Sequence, residues 1–167
     1  MKFKILYIGL ILISFSASSQ KSLDILLRIN NAESITYISV DELRMYQLND
    51  SVLILDARER NEFDVSHIPS ARYVGYGHFS SEEISEYITD KNTPLIVYCS
   101  LGIRSEDVGE KLEKAGFTNV KNLYGGIFEW KNKSYPVIDS EGKETENVHT
   151  FSKHWSRWLT KGVKVYD

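Results

Sequence analysis

The chain has 167 residues, 20 of them Lys or Arg and 23 Asp or Glu, for a net charge of −3. That balance argues against nucleic acid or an anionic membrane as a partner, and the length suits one domain whose core needs neither disulfides nor metal. There is a single cysteine, so no internal disulfide is possible, and its spacing from the scattered histidines fits no zinc pattern; no metal and no cofactor are expected.

Residues 1–19 have the layout of a secretory signal peptide. Met1 to Lys4 is basic, Ile5 to Ile13 is apolar, and Ser14 to Gln20 is rich in small residues, with cleavage predicted after Ser19. A retained anchor is the alternative, although the run is short for a membrane span and no cysteine stands at the cleavage region to carry a lipid. The expected location is periplasmic or secreted, with no stable membrane insertion after cleavage. Cysteines in such compartments normally occur in pairs, which marks a lone thiol as a reactive group.

Residues 20–35 read as an N-terminal extension, with a helix predicted over Ser22 to Asn31 from Leu23, Leu26, Leu27 and Ile29. Thr36 to Ser39 is a short strand, and Ser39 with Glu42 forms a capping box that opens a helix through Leu48. Val52 to Leu55 is a continuous apolar strand of the kind buried on both faces of a parallel sheet. A helical turn over Asn61 to His67 is stopped by Pro69, and Arg72 to Val74 is a further strand. Ser80 and Glu83 predict a second capping box and a helix through about Thr89. Leu95 to Tyr98 is the second strongly apolar strand. The spacing predicts a helix over Arg104 to Ala115 with a glycine stop at Gly116, a last strand over Val120 to Tyr124, and a short helix after Gly125-Gly126 through Trp130. Strands alternating with helices give the fold class α/β, an open and mostly parallel sheet with helices on both faces. In the C-terminal extension, residues 134–167, Tyr135 to Asp139 is extended and Ser140 to Lys143 turns. Phe151, Trp155, Trp158 and Leu159 then recur at helical spacing and predict an amphipathic helix docked on its own domain rather than on a partner or a membrane surface.

Cys99 ends the strand Leu95 to Tyr98, and Ser100-Leu101-Gly102-Ile103-Arg104-Ser105 leads into the next helix. A buried structural cysteine is the plain reading of a free thiol. A strand-to-helix turn with a glycine, free N–H groups and an arginine instead favours a thiolate, on the rim where open α/β sheets bind ligands. Val52 to Leu55 delivers Asp56 and Arg58 to the same rim; they either form an ion pair or a backbone-capping arrangement, with Glu59 or Glu62 as further partners, or serve the thiol.

Three segments carry a family resemblance. Leu55-Asp-Ala-Arg58-Glu-Arg-Asn-Glu62-Phe-Asp-Val-Ser-His67-Ile-Pro69-Ser-Ala71 resembles the rhodanese segment D-x-R-x-x-x-E-[FY]-x-x-x-H-I-P-x-A. Val97-Tyr-Cys99-Ser-Leu-Gly102-Ile-Arg104-Ser105 resembles that family's active-site loop, and Leu112, Gly116-Phe117, Val120, Leu123 and Gly125-Gly126 through Trp130 match its tail. The three occur in the family's order from Thr36 to Trp130, and the rhodanese-like domain is placed at residues 36–133.

The resemblance implies a sulfurtransferase. Cys99 would carry a sulfane sulfur as a persulfide, within a loop formed by Ser100, Leu101, Gly102, Ile103, Arg104 and Ser105. Arg104 would stabilise the thiolate, the persulfide or an anionic donor, Asp56 and Arg58 would support the site, and His67 would hold a turn. Thiosulfate is the default donor, with a thiol or cyanide-like acceptor or a protein sulfur carrier. Ser100-Leu101 departs from the basic residue that many thiosulfate users have directly after the cysteine, which leaves a protein persulfide or a small organic thiol compound as alternative donors. Rival readings are a non-catalytic sulfur-binding or redox-sensing module and a cysteine-based phosphatase or arsenate reductase. Phosphatase loops place five residues between Cys and Arg, against four here.

Overall fold

The computed structural model describes residues 22–49 and 51–166; the predicted signal peptide lies outside the described residues. The chain divides into two compact units, Met1–Ala32 and Glu33–Asp167. In the first, residues 22–30 form helix α1, which buries Leu23 and Leu27, one turn apart on the same face.

The second unit is built on five parallel strands, β1 (Tyr37–Ile38), β2 (Leu53–Asp56), β3 (Arg72–Tyr73), β4 (Leu95–Tyr98) and β5 (Val120–Leu123), in the order β1-β5-β4-β2-β3. The helices α2 (Val40–Leu48), α3 (Arg60–Val65), α4 (Ser81–Tyr87), α5 (Arg104–Lys114) and α6 (Gly126–Asn132) alternate with them and flank both faces. This is the expected α/β architecture. Alternation along the strands sends Leu55, Leu95, Val97 and Val120 into one cluster with Ile84 of α4 and Val108 and Leu112 of α5. Ile54, Ile96 and Tyr98, also buried, point to the opposite face. Because β2 and β4 are adjacent and in register, Asp56 beside Tyr98, the chain leaves both strands on one edge of the sheet.

Capping follows the sequence at α2, where the Ser39 hydroxyl accepts the Glu42 N–H (3.2 Å) and the Glu42 carboxylate accepts the Ser39 N–H (3.0 Å). At α4 only half of the predicted box forms. Ser80 Oγ accepts the Glu83 N–H at 3.2 Å, but its own hydroxyl donates to Glu82, and the helix ends at Tyr87.

After α6 the chain forms an antiparallel pair, β6 (Val137–Ile138) with β7 (Glu144–Thr145), and a parallel pair, β8 (Asn147–His149) with β9 (Val163–Val165). The predicted amphipathic α-helix in residues 134–167 does not form. The Thr150 N–H still bonds to Val165 O (2.9 Å), so the β pairing runs up to Thr150. Phe151 then turns the chain in the left-handed region, with φ 60°, a conformation no α-helix includes. What remains of the apolar stripe makes one 3-10 turn, Trp155–Trp158; Leu159 is buried, whereas Phe151 is half exposed.

Candidate active site

Cys99 is the first residue after β4, and it is 2 % exposed. The loop that follows curls back on the sulfur. Gly102, in the left-handed region at φ 109°, donates its N–H to Cys99 Sγ at 3.1 Å. The Ser105 hydroxyl, in the first turn of α5, lies 3.5 Å from the same sulfur. Burial opposes ionisation of this thiol, yet the charge of Arg104, the Ser105 hydroxyl and the N–H groups of Ser105 and Gly102 together hold it below the ordinary thiol range.

Two side chains brace the loop from below. Asn122 on β5 donates through Nδ2 to Gly102 O (2.8 Å) and accepts the Ser105 hydroxyl at Oδ1 (2.7 Å). Glu62 on α3, fully buried, accepts a forked pair of bonds from Arg104, Nη1 to Oε2 at 2.6 Å and Nη2 to Oε1 at 2.8 Å. Ser100 bridges the two, donating to Glu62 Oε1 (3.1 Å) and accepting from Arg104 Nη2 (3.0 Å). Burial works to raise the Glu62 carboxyl, but its bonds to Arg104, the charges of Arg104 and Arg58 and the Glu59 N–H outweigh it and keep the group below the usual carboxylate range. Arg104 is therefore a neutralised cation, not a bare one.

A pocket of about 140 Å³ opens beside the sulfur. Leu101 and Ile103 line it from the loop, and Phe151 and Trp155 from the C-terminal extension. The Phe151 ring lies over the Arg104 guanidinium, 4.9 Å from ring centre to carbon.

The predicted loop residues Cys99 to Ser105 thus surround one sulfur atom. Asp56 and Arg58 stand apart from it. Both are fully buried, and Arg58 Nη2 meets Asp56 at 2.6 Å and Ser66 O at 2.6 Å. The Tyr98 hydroxyl donates to Asp56 at 2.5 Å and accepts the Ile68 N–H at 3.1 Å. Among the described residues these side-chain bonds knit β2, β4 and the turn at Pro69 together, and none reaches the thiol. His67 stacks on Phe63 (centroids 3.9 Å apart) with Nδ1 3.1 Å from Phe63 O, in a turn whose backbone pairs with Ile138. No group of His, Cys, Asp and Glu suited to a metal occurs among the described residues, and no helix there is long and apolar enough to cross a membrane.

Sequence reasoning missed four contributors. Glu62 read only as a candidate partner for Asp56 and Arg58, because its pairing with Arg104 exists only once α3 is set beside the loop. Asn122 carried a faint signal, a neutral polar residue between Lys121 and Leu123 near the end of a strand. Phe151 and Trp155 were legible as apolar residues, but nothing in their spacing pointed to the thiol.

A family model described as Rhodanese-like domain matches residues 39–133. Among curated proteins, the chain is 32% identical over 108 residues to the thiosulfate sulfurtransferase GlpE of Coxiella burnetii, covering 62% of this chain and 95% of that protein. It is 36% identical over 97 residues to a tRNA uridine(34) hydroxylase of Listeria monocytogenes, covering 55% of this chain but 30% of that protein. Among solved structures, a thiosulfate sulfurtransferase from Pseudomonas aeruginosa matches with TM-score 0.60 at 21% identity, over 75% of this chain and 23% of that one. The BH2092 protein from Bacillus halodurans matches with TM-score 0.58 at 19% identity, over 74% and 87%. These two likenesses are of fold.

Proposed function

The chain belongs to the rhodanese-like domain family, and on that footing we propose that it transfers sulfur through a persulfide on Cys99. Similarity to a thiosulfate sulfurtransferase supports sulfurtransferase-type chemistry. The observation that carries the finer reading is the sulfur itself, held by the Gly102 N–H at 3.1 Å in a loop with four residues between Cys99 and Arg104. A ring that small fits one sulfur atom better than a tetrahedral oxyanion, which favours sulfur transfer over phosphatase or arsenate chemistry.

In the proposed cycle the Cys99 thiolate attacks the outer sulfur of a donor such as thiosulfate. The donor S–S bond breaks, its electron pair leaves with sulfite, and the new Cys99–S–S⁻ carries the negative charge. The N–H groups of the loop receive that charge where it develops, and Arg104 partly balances it. A thiophilic acceptor, cyanide or a thiolate, then takes the outer sulfur and releases Cys99 as thiolate. No metal or redox partner is needed for this balance.

The test is direct. Wild-type protein incubated with thiosulfate and cyanide is expected to release thiocyanate, and its intact mass after donor alone is expected to rise by one sulfur. Cys99→Ser should do neither. Equal thiocyanate release by both proteins, or no mass gain from thiosulfate, a thiosulfonate or an inorganic polysulfide, would overturn the proposal.

A further inference from the structure

Beside the sulfur, the wall of the pocket is supplied by a part of the chain outside the family match, which ends at residue 133. Phe151 and Trp155 line it together with Leu101 and Ile103, so the mouth is largely apolar and aromatic, with Arg104 the one cation among the described lining residues. That cation is already committed, forked onto Glu62 and covered by the Phe151 ring at 4.9 Å. Arg58, the other cation whose charge reaches Glu62, is balanced by Asp56 at 2.6 Å, so with Cys99 ionised the thiolate and Glu62 stand against Arg104 alone. A dianion approaching the thiolate meets net like charge, whereas a donor with one negative charge and an apolar body loses little.

The rim is held in place before any ligand arrives. The Phe151 N–H donates to Nδ1 of buried His149 (3.1 Å), and Thr150 bonds to Val165 O through both N–H (2.9 Å) and hydroxyl (3.2 Å). Trp155 packs on Trp158 and His154, with centroids 5.5 and 5.1 Å away. Phe151 itself keeps a left-handed φ of 60° with half its surface exposed. A non-glycine residue in this region carries strain and persists where its surroundings fix it, as the bonds of His149 and Thr150 do here. The volume is also informative: apolar cavities of about 150 Å³ take up a single benzene ring, and this pocket measures about 140 Å³.

We infer that Phe151 and Trp155 are specificity-determining residues that fit the site to an organic sulfane-sulfur donor with one compact apolar or aromatic substituent and a single negative charge. The inference rests on sulfur transfer at Cys99. For a thiosulfonate R–SO₂–S⁻, the thiolate attacks the outer sulfur, the S–S bond breaks with its electron pair on the sulfinate R–SO₂⁻, and Cys99–S–S⁻ forms without any proton transfer. The substituent R then rests between the Phe151 and Trp155 rings.

The experiment compares benzenethiosulfonate with methanethiosulfonate as donors to the full chain, with cyanide as acceptor, in wild type, Phe151→Gly and Trp155→Ala. Taking the aryl-to-methyl ratio of kcat/KM within each protein, and comparing ratios between proteins, cancels the different intrinsic reactivity of the two donors. The ratio is expected to fall about five- to tenfold in each variant, mostly through KM for the aryl donor, as one aromatic contact is removed. Phe151→Gly also relieves the left-handed strain, so its melting midpoint should match or exceed that of wild type, which separates a lost contact from a lost fold. A ratio unchanged in both variants, with methanethiosulfonate or thiosulfate still loading Cys99, would overturn the inference and leave sulfur transfer standing. A wild type that takes sulfur from none of the three donors, and none from an inorganic polysulfide, would overturn both.

Discussion

The charge of Arg104 acts on Cys99, and Arg104 itself touches the opposite charge of Glu62. Arg104 favours the thiolate, and Glu62 claims both arms of the Arg104 fork. Removing each should therefore move the thiol in opposite directions. The rate of alkylation by iodoacetamide rises with pH as thiolate appears, and in wild type that rise should fall below the ordinary thiol range because the pKa is lowered. Arg104→Ala should shift the rise to higher pH; Glu62→Gln, which frees the arginine charge, should shift it lower. Arg104→Ala also strands a buried carboxylate, at about 3–5 kcal/mol, so Arg104→Lys serves as companion: it keeps the charge without the fork and should recover part of the shift. Shifts of the same sign in Arg104→Ala and Glu62→Gln would refute this account. Cys99 and Arg104 were legible in the sequence because one thiol and one nearby cation follow a buried strand. Glu62 was not, because a carboxylate on a separate helix announces its partner only through the fold.

The active loop is held by the element that follows β5 as much as by the strand that precedes it. At the start of α6 the Ile127 N–H donates to Cys99 O (3.0 Å) and the Phe128 N–H to Ser100 O (3.2 Å). That close approach needs a residue without Cβ at Gly126, where an added Cβ would strike Cys99 O and the Ser100 carbonyl, all backbone atoms. Gly126→Ala should therefore cost about 2–4 kcal/mol and slow sulfur loading, both readable from a denaturant melt and the mass assay. Gly142→Ala provides the control, since it shares a positive φ (77°) but meets nothing within 4 Å; equal losses in the two would make backbone conformation, not collision, the cause. Elements of this kind were readable where burial enforces a period. The apolar strands β2 and β4, the last strand β5, the cap at Ser39 and the glycine stop of α5 fall within a residue or two of where the sequence puts them. The stripe Phe151, Trp155, Trp158 and Leu159 misled because helical spacing is necessary for an amphipathic helix but does not enforce one. Here strand pairing ends at Thr150, and a left-handed Phe151 breaks the run.

At the scale of the whole molecule, the family match stops at residue 133 while the compact unit continues through Glu33–Asp167. The added segment is fastened to the matched region at several points. Ser66 Oγ donates to Asn147 O (2.6 Å), Lys131, 4 % exposed, is paired with Glu146 at 2.8 Å, and the Trp130 indole donates to Pro136 O at 2.8 Å. Asn132 donates to Trp158 O and accepts from Thr160, both within 2.8 Å. Val137, Val148 and Leu159 are almost wholly buried, worth about 1.5–3 kcal/mol each and so roughly 5–9 kcal/mol together. Net domain stability is only about 5–15 kcal/mol. Ending the chain after Lys133 should thus remove most or all of the margin, besides leaving Lys131 and the Trp130 N–H without partners and stripping the aromatic wall from the pocket. The full chain should melt in one cooperative step across Glu33–Asp167, followed by far-ultraviolet and tryptophan signals together, whereas the shortened chain should show no cooperative transition at neutral pH. A shortened protein that melts cooperatively within a few degrees of the full chain would mean that the extension is carried by the fold rather than required for it.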